Sequence, residues 1–208
     1  MRKIFIVLVL GLVSIICFGQ NIGTGTATAT ETVEFADNSE SEIVKLMNNG
    51  STLTKKEFFD LPEVKGVSFE VIIITDMVKG NKYGGLRLIT KYTAPYLSNT
   101  YIGTLDYSEI DDCINSMNVI KNDILPTTPS VYTEVRYKTK DYVEMGALFS
   151  PNNSWALIQA PSTGKWFVYI STKSYLNNST AIIPAKQIDA IISNLQESKR
   201  IIEEQTGR

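Results

Sequence analysis

Three kinds of hydrophobic patterning succeed one another along the chain. Ile4 to Phe18 is a nearly unbroken apolar run behind Arg2 and Lys3, interrupted only by Gly11 and Ser14. Residues 20–39 are rich in Thr, Ala and Gly and poor in bulky apolar side chains, so they cannot bury enough surface to offset chain entropy. From Ser41 onward the apolar positions become periodic. Ile43, Leu46 and Met47 have helical spacing before Asn48, Asn49 and Gly50, which predicts one short helix over Ser41 to Met47.

After Ser51 the period drops to two. Strands are expected over Leu53 to Phe59, Val67 to Thr75, Gly85 to Tyr92 and Tyr101 to Leu105. Lys79 to Gly84 is read as the reversal between the second and third, with its glycines supplying positive φ. The period then lengthens. Ile110, Cys113, Ile114, Met117, Ile120 and Ile124 form the stripe of a helix from about Tyr107 to Ile124, with Asp106 and Glu109 as a capping box and Pro126 and Pro129 beyond its end.

The same order then repeats. Strands are expected over Val131 to Tyr137, Tyr142 to Phe149, Trp155 to Ala160, Lys165 to Ser171 and Thr180 to Ile183, followed by a helix from about Ala185 to Glu204. An offset of 78 sets Ile110 on Ile188, Asp111 on Asp189, Ile114 on Ile192, Met117 on Leu195 and Lys121 on Lys199. It also sets Leu53 on Val131, Phe59 on Tyr137 and Glu109 on Gln187, so both helices are expected to start with the same capping device. The middle strands need gaps to align. The pattern implies an internal duplication: an α+β fold of two tandem repeats, each about four antiparallel strands and one C-terminal helix, packed as a pseudo-twofold single domain. The division expected is 1–19 signal peptide, 20–39 flexible Thr-rich tether, 40–129 first repeat and 130–208 second repeat.

The layout of strands closed by one helix, repeated in tandem, resembles that of PC4 and Whirly-like single-stranded nucleic acid binders. The Lys-Gly-Lys-Ala-Ala-Leu signature of the Whirly proteins is absent, so the resemblance carries no binding residue to this chain. The stretch YIGTLDYSEIDDCINSMNVIK, Tyr101 to Lys121, is similar to a recurrent segment of small, secreted, uncharacterised proteins from gut-type bacteria. That resemblance implies export and a shared fold over roughly Ser41 to Glu204, and no activity.

Composition and charge narrow the chemistry. The apolar run with its basic start reads as a secretory signal cut near Gly19 or Gln20; it falls short of the roughly 20 apolar residues of a membrane span. The expected location is therefore exported: periplasm, cell surface or secreted. Cys17 offers lipoprotein processing as the competing reading, which Ile16 disfavours because that position normally holds a small residue. Without Arg2 and Lys3 the chain has 18 basic residues against 22 acidic, a formal charge of −4 that disfavours nucleic acid as partner. Cys113 is then the sole cysteine, read as a core side chain. The chain has no histidine, which removes Ser-His-Asp and Cys-His nucleophiles and imidazole metal sites.

What remains is thin as catalysis. Ser162-Thr163-Gly164-Lys165 has the S-x-x-K spacing of Ser-Lys acylases, but it follows Pro161 between strand-like runs and reads as a turn. Asp106, Glu109, Asp111 and Asp112 could hold a cation, and helix capping explains them more simply. Aromatics concentrate in the second half, at Tyr132, Tyr137, Tyr142, Trp155, Trp166, Phe167 and Tyr169. Alternation points Trp166, Val168 and Ile170 one way and Phe167 and Tyr169 the other, so one set is expected off the main core. Trp155, Trp166, Phe167 and Tyr169 are the candidate ligand-binding residues, with no catalytic residue, metal or cofactor assigned. The leading expectation is a secreted, non-enzymatic module that binds a protein or glycan; the alternatives are single-stranded nucleic-acid binding by a Whirly-like sheet and a His-independent hydrolase.

Overall fold

The computed structural model describes residues 41–48, 52–151, 164–173 and 179–208. The signal, the tether and the expected strand Trp155 to Ala160 lie outside them. The chain divides into Met1–Ala36 and Asp37–Arg208, and every described residue belongs to the second unit.

Helix α1 (Glu42–Asn48) precedes a meander of β1 (Thr54–Val64), β2 (Val67–Asp76), β3 (Lys82–Ala94) and β4 (Leu97–Asp106). Helix α2 (Tyr107–Val119) follows and ends in a π-helical turn, Ile120–Ile124, where the Leu125 N–H reaches back five residues to Ile120 O. The second meander is β5 (Thr133–Lys138), β6 (Glu144–Phe149), β7 (Trp166–Ser171) and β8 (Thr180–Pro184), and helix α3 (Ile188–Thr206) follows a 3₁₀ turn, Ala185–Gln187. The sheets have the orders β1-β2-β3-β4 and β5-β6-β7-β8, all antiparallel. The fold is α+β, two repeated sheet-helix units in tandem.

One hydrophobic core joins the repeats. Val67, Phe69, Val71 and Ile73 of β2 meet Met145, Ala147, Val168 and Ile170 of the second sheet and the stripes of both helices in a single cluster. Both helices tie the two sheets together. Helix α3 lies across β1, β2 and β3 of the first sheet, with Ile202 against Gly84 and the Asn194 side-chain amide donating to Pro62 O at 2.7 Å. Helix α2 lies beside β3 and β4 of its own sheet and also reaches the second: Cys113 Sγ lies 3.6 Å from Met145 Sδ, and Tyr137 donates to Glu109 O. Two ion pairs between the helices repeat the 78-residue offset, Lys199 with Asp111 at 2.7 Å and Lys121 with Asp189 at 2.6 Å. Reciprocal pairing of this kind marks a twofold interface, here within one chain.

Three expectations change. Of the two glycines assigned to the β2–β3 turn only Gly80 has positive φ (77°); Gly84 lies inside β3 beside Gly85. They are small because helices press on them: a Cβ would come within 2.5 Å of Ile202 Cγ2 at Gly84 and 2.7 Å of Ile43 Cγ1 at Gly85. The shared capping device also fails. Asp106 and Glu109 form the box on α2, but the offset puts Pro184 on Asp106, and with no side-chain acceptor there the chain enters α3 through the 3₁₀ turn, leaving Gln187 at the N-cap without a side-chain cap. Finally, the expected strand from Tyr142 begins at Glu144, since Tyr142 has φ of 61° in a turn. The β1–β2 link is the two residues Lys65-Gly66, whereas β5 and β6 are joined by Thr139 to Val143. The stretches between the later strands differ as well, 77–81 against 150–165 and 95–96 against 172–179, so the pairing registers of the two sheets do not superpose at one offset.

Candidate interaction surfaces

The candidate aromatics on β7 divide as alternation predicts. Trp166 joins the main core, tilted 54° against Phe149 with ring centroids 5.4 Å apart, and donates its Nε1–H to Thr127 O at 2.8 Å. Phe167 and Tyr169 point to the other face and form a separate small cluster with Leu148. Tyr169 stands directly across from Gly146, its ring within 2.9 Å of where a Cβ would sit, and its hydroxyl donates to Glu134 Oε1 at 2.8 Å. Burial and that hydrogen bond hold its phenol well above the ordinary tyrosine range. All three are buried, at 8%, 8% and 5% exposure, so an exposed stacking platform on β7 is not what they form. Trp155 lies outside the described residues.

Trp166 and Phe167 do reach one wall of a groove of about 630 Å³. It runs between the end of the π-helical turn, the start of β7 and the β8–α3 junction. Pro126, Phe149, Trp166 and Phe167 give it apolar walls, and Lys165 and Lys186 bring two ammonium groups. Gly164, from the S-x-x-K run, takes φ of 69° and donates its N–H to Ser150 O, so Lys165 enters β7 from a turn; Ser162 and Thr163 lie outside the described residues.

A second surface was not foreseen. Pairing of β2 with β3 ends at Val67 opposite Thr90, but β3 and β4 continue as a two-stranded ribbon from Lys91 opposite Thr100 to Ala94 opposite Leu97. Pro95 and Tyr96 form its tip, Tyr96 fully exposed at 102% and Leu97 at 51%.

The charged groups have structural partners. Asp106, 2% exposed, accepts from Ser41 Oγ at 2.5 Å and from the Glu42 and Ile43 N–H groups, so it caps α1 across 63 to 65 residues of chain. Glu109 accepts from Asp106 N–H and Lys140 N–H. Asp141 accepts from Thr104 N–H at 2.9 Å and from Lys173 Nζ at 2.8 Å. Beside it Thr90, Thr172, Ser171 and Ser179 link through buried hydroxyl groups that tie β3 to the β7–β8 link. Among the described residues no three His, Cys, Asp or Glu side chains are grouped to hold a metal ion. Nor is any described helix long and apolar enough to cross a membrane.

No protein-family model, curated protein or solved structure matches this chain.

Proposed function

We propose that the chain is an exported, non-enzymatic module that binds a peptide or glycan segment in the groove beside Trp166. The groove carries the reading: Pro126 and the narrow exposed margins of Trp166 and Phe167 suit an apolar side chain or the C–H edge of a sugar, and Lys165 and Lys186 suit an acidic group on the same ligand. The buried carboxylates of Asp106 and Glu109 and the half-buried one of Asp141 support it too, since backbone amides and a lysine take them up. Export rests on the signal-like run of residues 1–19. Nucleic acid suits the sheets less well: Glu70 pairs with Arg87 on the first, and Glu144 with Arg136 and Lys138 on the second, so neither offers a basic track for phosphates.

Titration with acidic and neutral oligosaccharides and peptides, followed by tryptophan fluorescence and thermal midpoint, tests the reading. Saturable binding of acidic members is expected, weakened about tenfold in a Lys165→Ala, Lys186→Ala double variant. Absence of any shift across the panel contradicts it, as does hydrolytic turnover. Tight single-strand binding that falls steeply with salt supports the Whirly-like alternative instead.

A further inference from the structure

Strand β4 ends its sheet, and among the described residues its outer side is divided in two. At the lower end Thr104 points its N–H away from β3 to Asp141 Oδ2, and Gly103 packs against Val143 and Thr172 O, so the second repeat closes that part of the edge. The β3–β4 register runs from Gly85 opposite Asp106 to Ala94 opposite Leu97 without a shift. In an unbroken antiparallel strand the residues two, four and six before Thr104 present their main-chain groups to the same side. Ile102, Thr100 and Ser98 therefore direct N–H and C=O outward, along an edge where Ser98 and Thr100 are exposed.

This edge lacks the guards that exposed strands normally carry. No residue from Tyr92 to Leu105 is charged, and Pro95 sits in the turn. The other edges are guarded: β1 carries Lys55, Lys56, Glu57, Asp60 and Glu63, β5 carries Glu134, Arg136 and Lys138, and β8 ends in Pro184. Charge also bears on what can pair there. A twofold sets the residue on its axis against itself and the others against residues of the same strand, so charges of one sign along that strand would repel across the pair. An uncharged strand escapes that cost.

We propose that β4 pairs antiparallel with β4 of a second copy of this chain, about a twofold axis at Thr100. Thr100 lies opposite Thr100 of the second copy, and Ser98 opposite its Ile102, giving about six main-chain hydrogen bonds and one sheet of eight strands across the dimer. The inference does not depend on the groove: a dimer can form whether or not the groove has a ligand.

Sedimentation velocity of the purified protein over a concentration series tests it. The wild type is expected to pass from monomer to dimer. Thr100→Pro removes an outward N–H that β3 does not use and should leave a monomer throughout. Thr100→Glu, at an exposed side chain, puts like charges on the axis and should raise the dissociation constant roughly fivefold while thermal midpoint and circular dichroism stay unchanged. Thr93→Glu, one strand inward, should dimerise as the wild type does. A wild type that stays monomeric at every concentration overturns the proposal, even if it captures an extended foreign peptide. So does a dimer whose mass both Thr100 variants leave unaltered.

Discussion

Gly103 faces the second repeat so closely that a Cβ would lie 2.3 Å from Val143 Cγ2 and 2.4 Å from Thr172 O. The second of these atoms is backbone and cannot swing aside, so Gly103→Ala is expected to cost about 2–3 kcal/mol in urea unfolding. Cys113 tests the same interior by chemistry. Burial, reinforced by the charge of Glu109, pushes its thiol up to about 12. Tyr137 and Tyr169 are also raised, chiefly by burial. Because the folded state favours the protonated forms, their contribution is complete below the unfolded thiol value of about 8.5 and is lost as pH climbs toward the raised values. Denaturation midpoints should hold through neutral pH and fall between about pH 9 and 12, with Cys113→Ala removing the earliest part of that fall. Iodoacetamide at pH 8 should leave Cys113 unmodified until the protein unfolds. That Cys113 is a core side chain was legible from its place in the apolar stripe; the meaning of Gly103 was not, because its neighbours come from 40 and 69 residues further along the chain.

Helix α1 is seven residues long, too short to persist by itself. It is held by Ile43 against Ile72 and Ile74 and by the Asp106 carboxylate at its first turn. Asp106→Ala should therefore free α1 before the rest unfolds, at a cost of about 2 kcal/mol. Hydrogen exchange read at the Glu42 and Ile43 amides checks this: fast exchange there with the sheets still protected is the expected result. The capping box at Asp106 and Glu109 was readable from local spacing, whereas the larger task of Asp106 links residues more than 60 apart and leaves no local signature. The long amphipathic helices were legible because their stripes face one core. The aromatic-tipped ribbon was missed for a related reason: period-two alternation tells which face a side chain takes, and is silent on whether a neighbouring strand lies beside it.

At the scale of the molecule, the duplication was readable in the two helices and lost in the sheets. All three stretches between strands differ in length between the copies, and the longer loop Thr139 to Val143 holds the first repeat, through Lys140 N–H on Glu109, Asp141 on Thr104 and Val143 on Gly103. The copies diverged where they clasp each other. The candidate site fared unevenly: β7 was correctly singled out as two-faced, but alternation could not tell that both faces are buried, nor that Lys165 and Lys186 converge from different elements. The helices make the repeats dependent on each other, since α3 covers β1 to β3 of the first sheet and α2 reaches from β3 and β4 to Met145 and Tyr137 of the second. A groove built from the π-helical turn of one repeat and from β7 and the β8–α3 junction of the other exists only in that joined state. The direct measurement is equilibrium unfolding of residues 41–129 and 130–208 produced as separate chains, alone and mixed. A body with one shared core and α3 over the first sheet predicts no cooperative transition for either half and a folded one-to-one complex on mixing; a cooperative transition in either isolated half would contradict it.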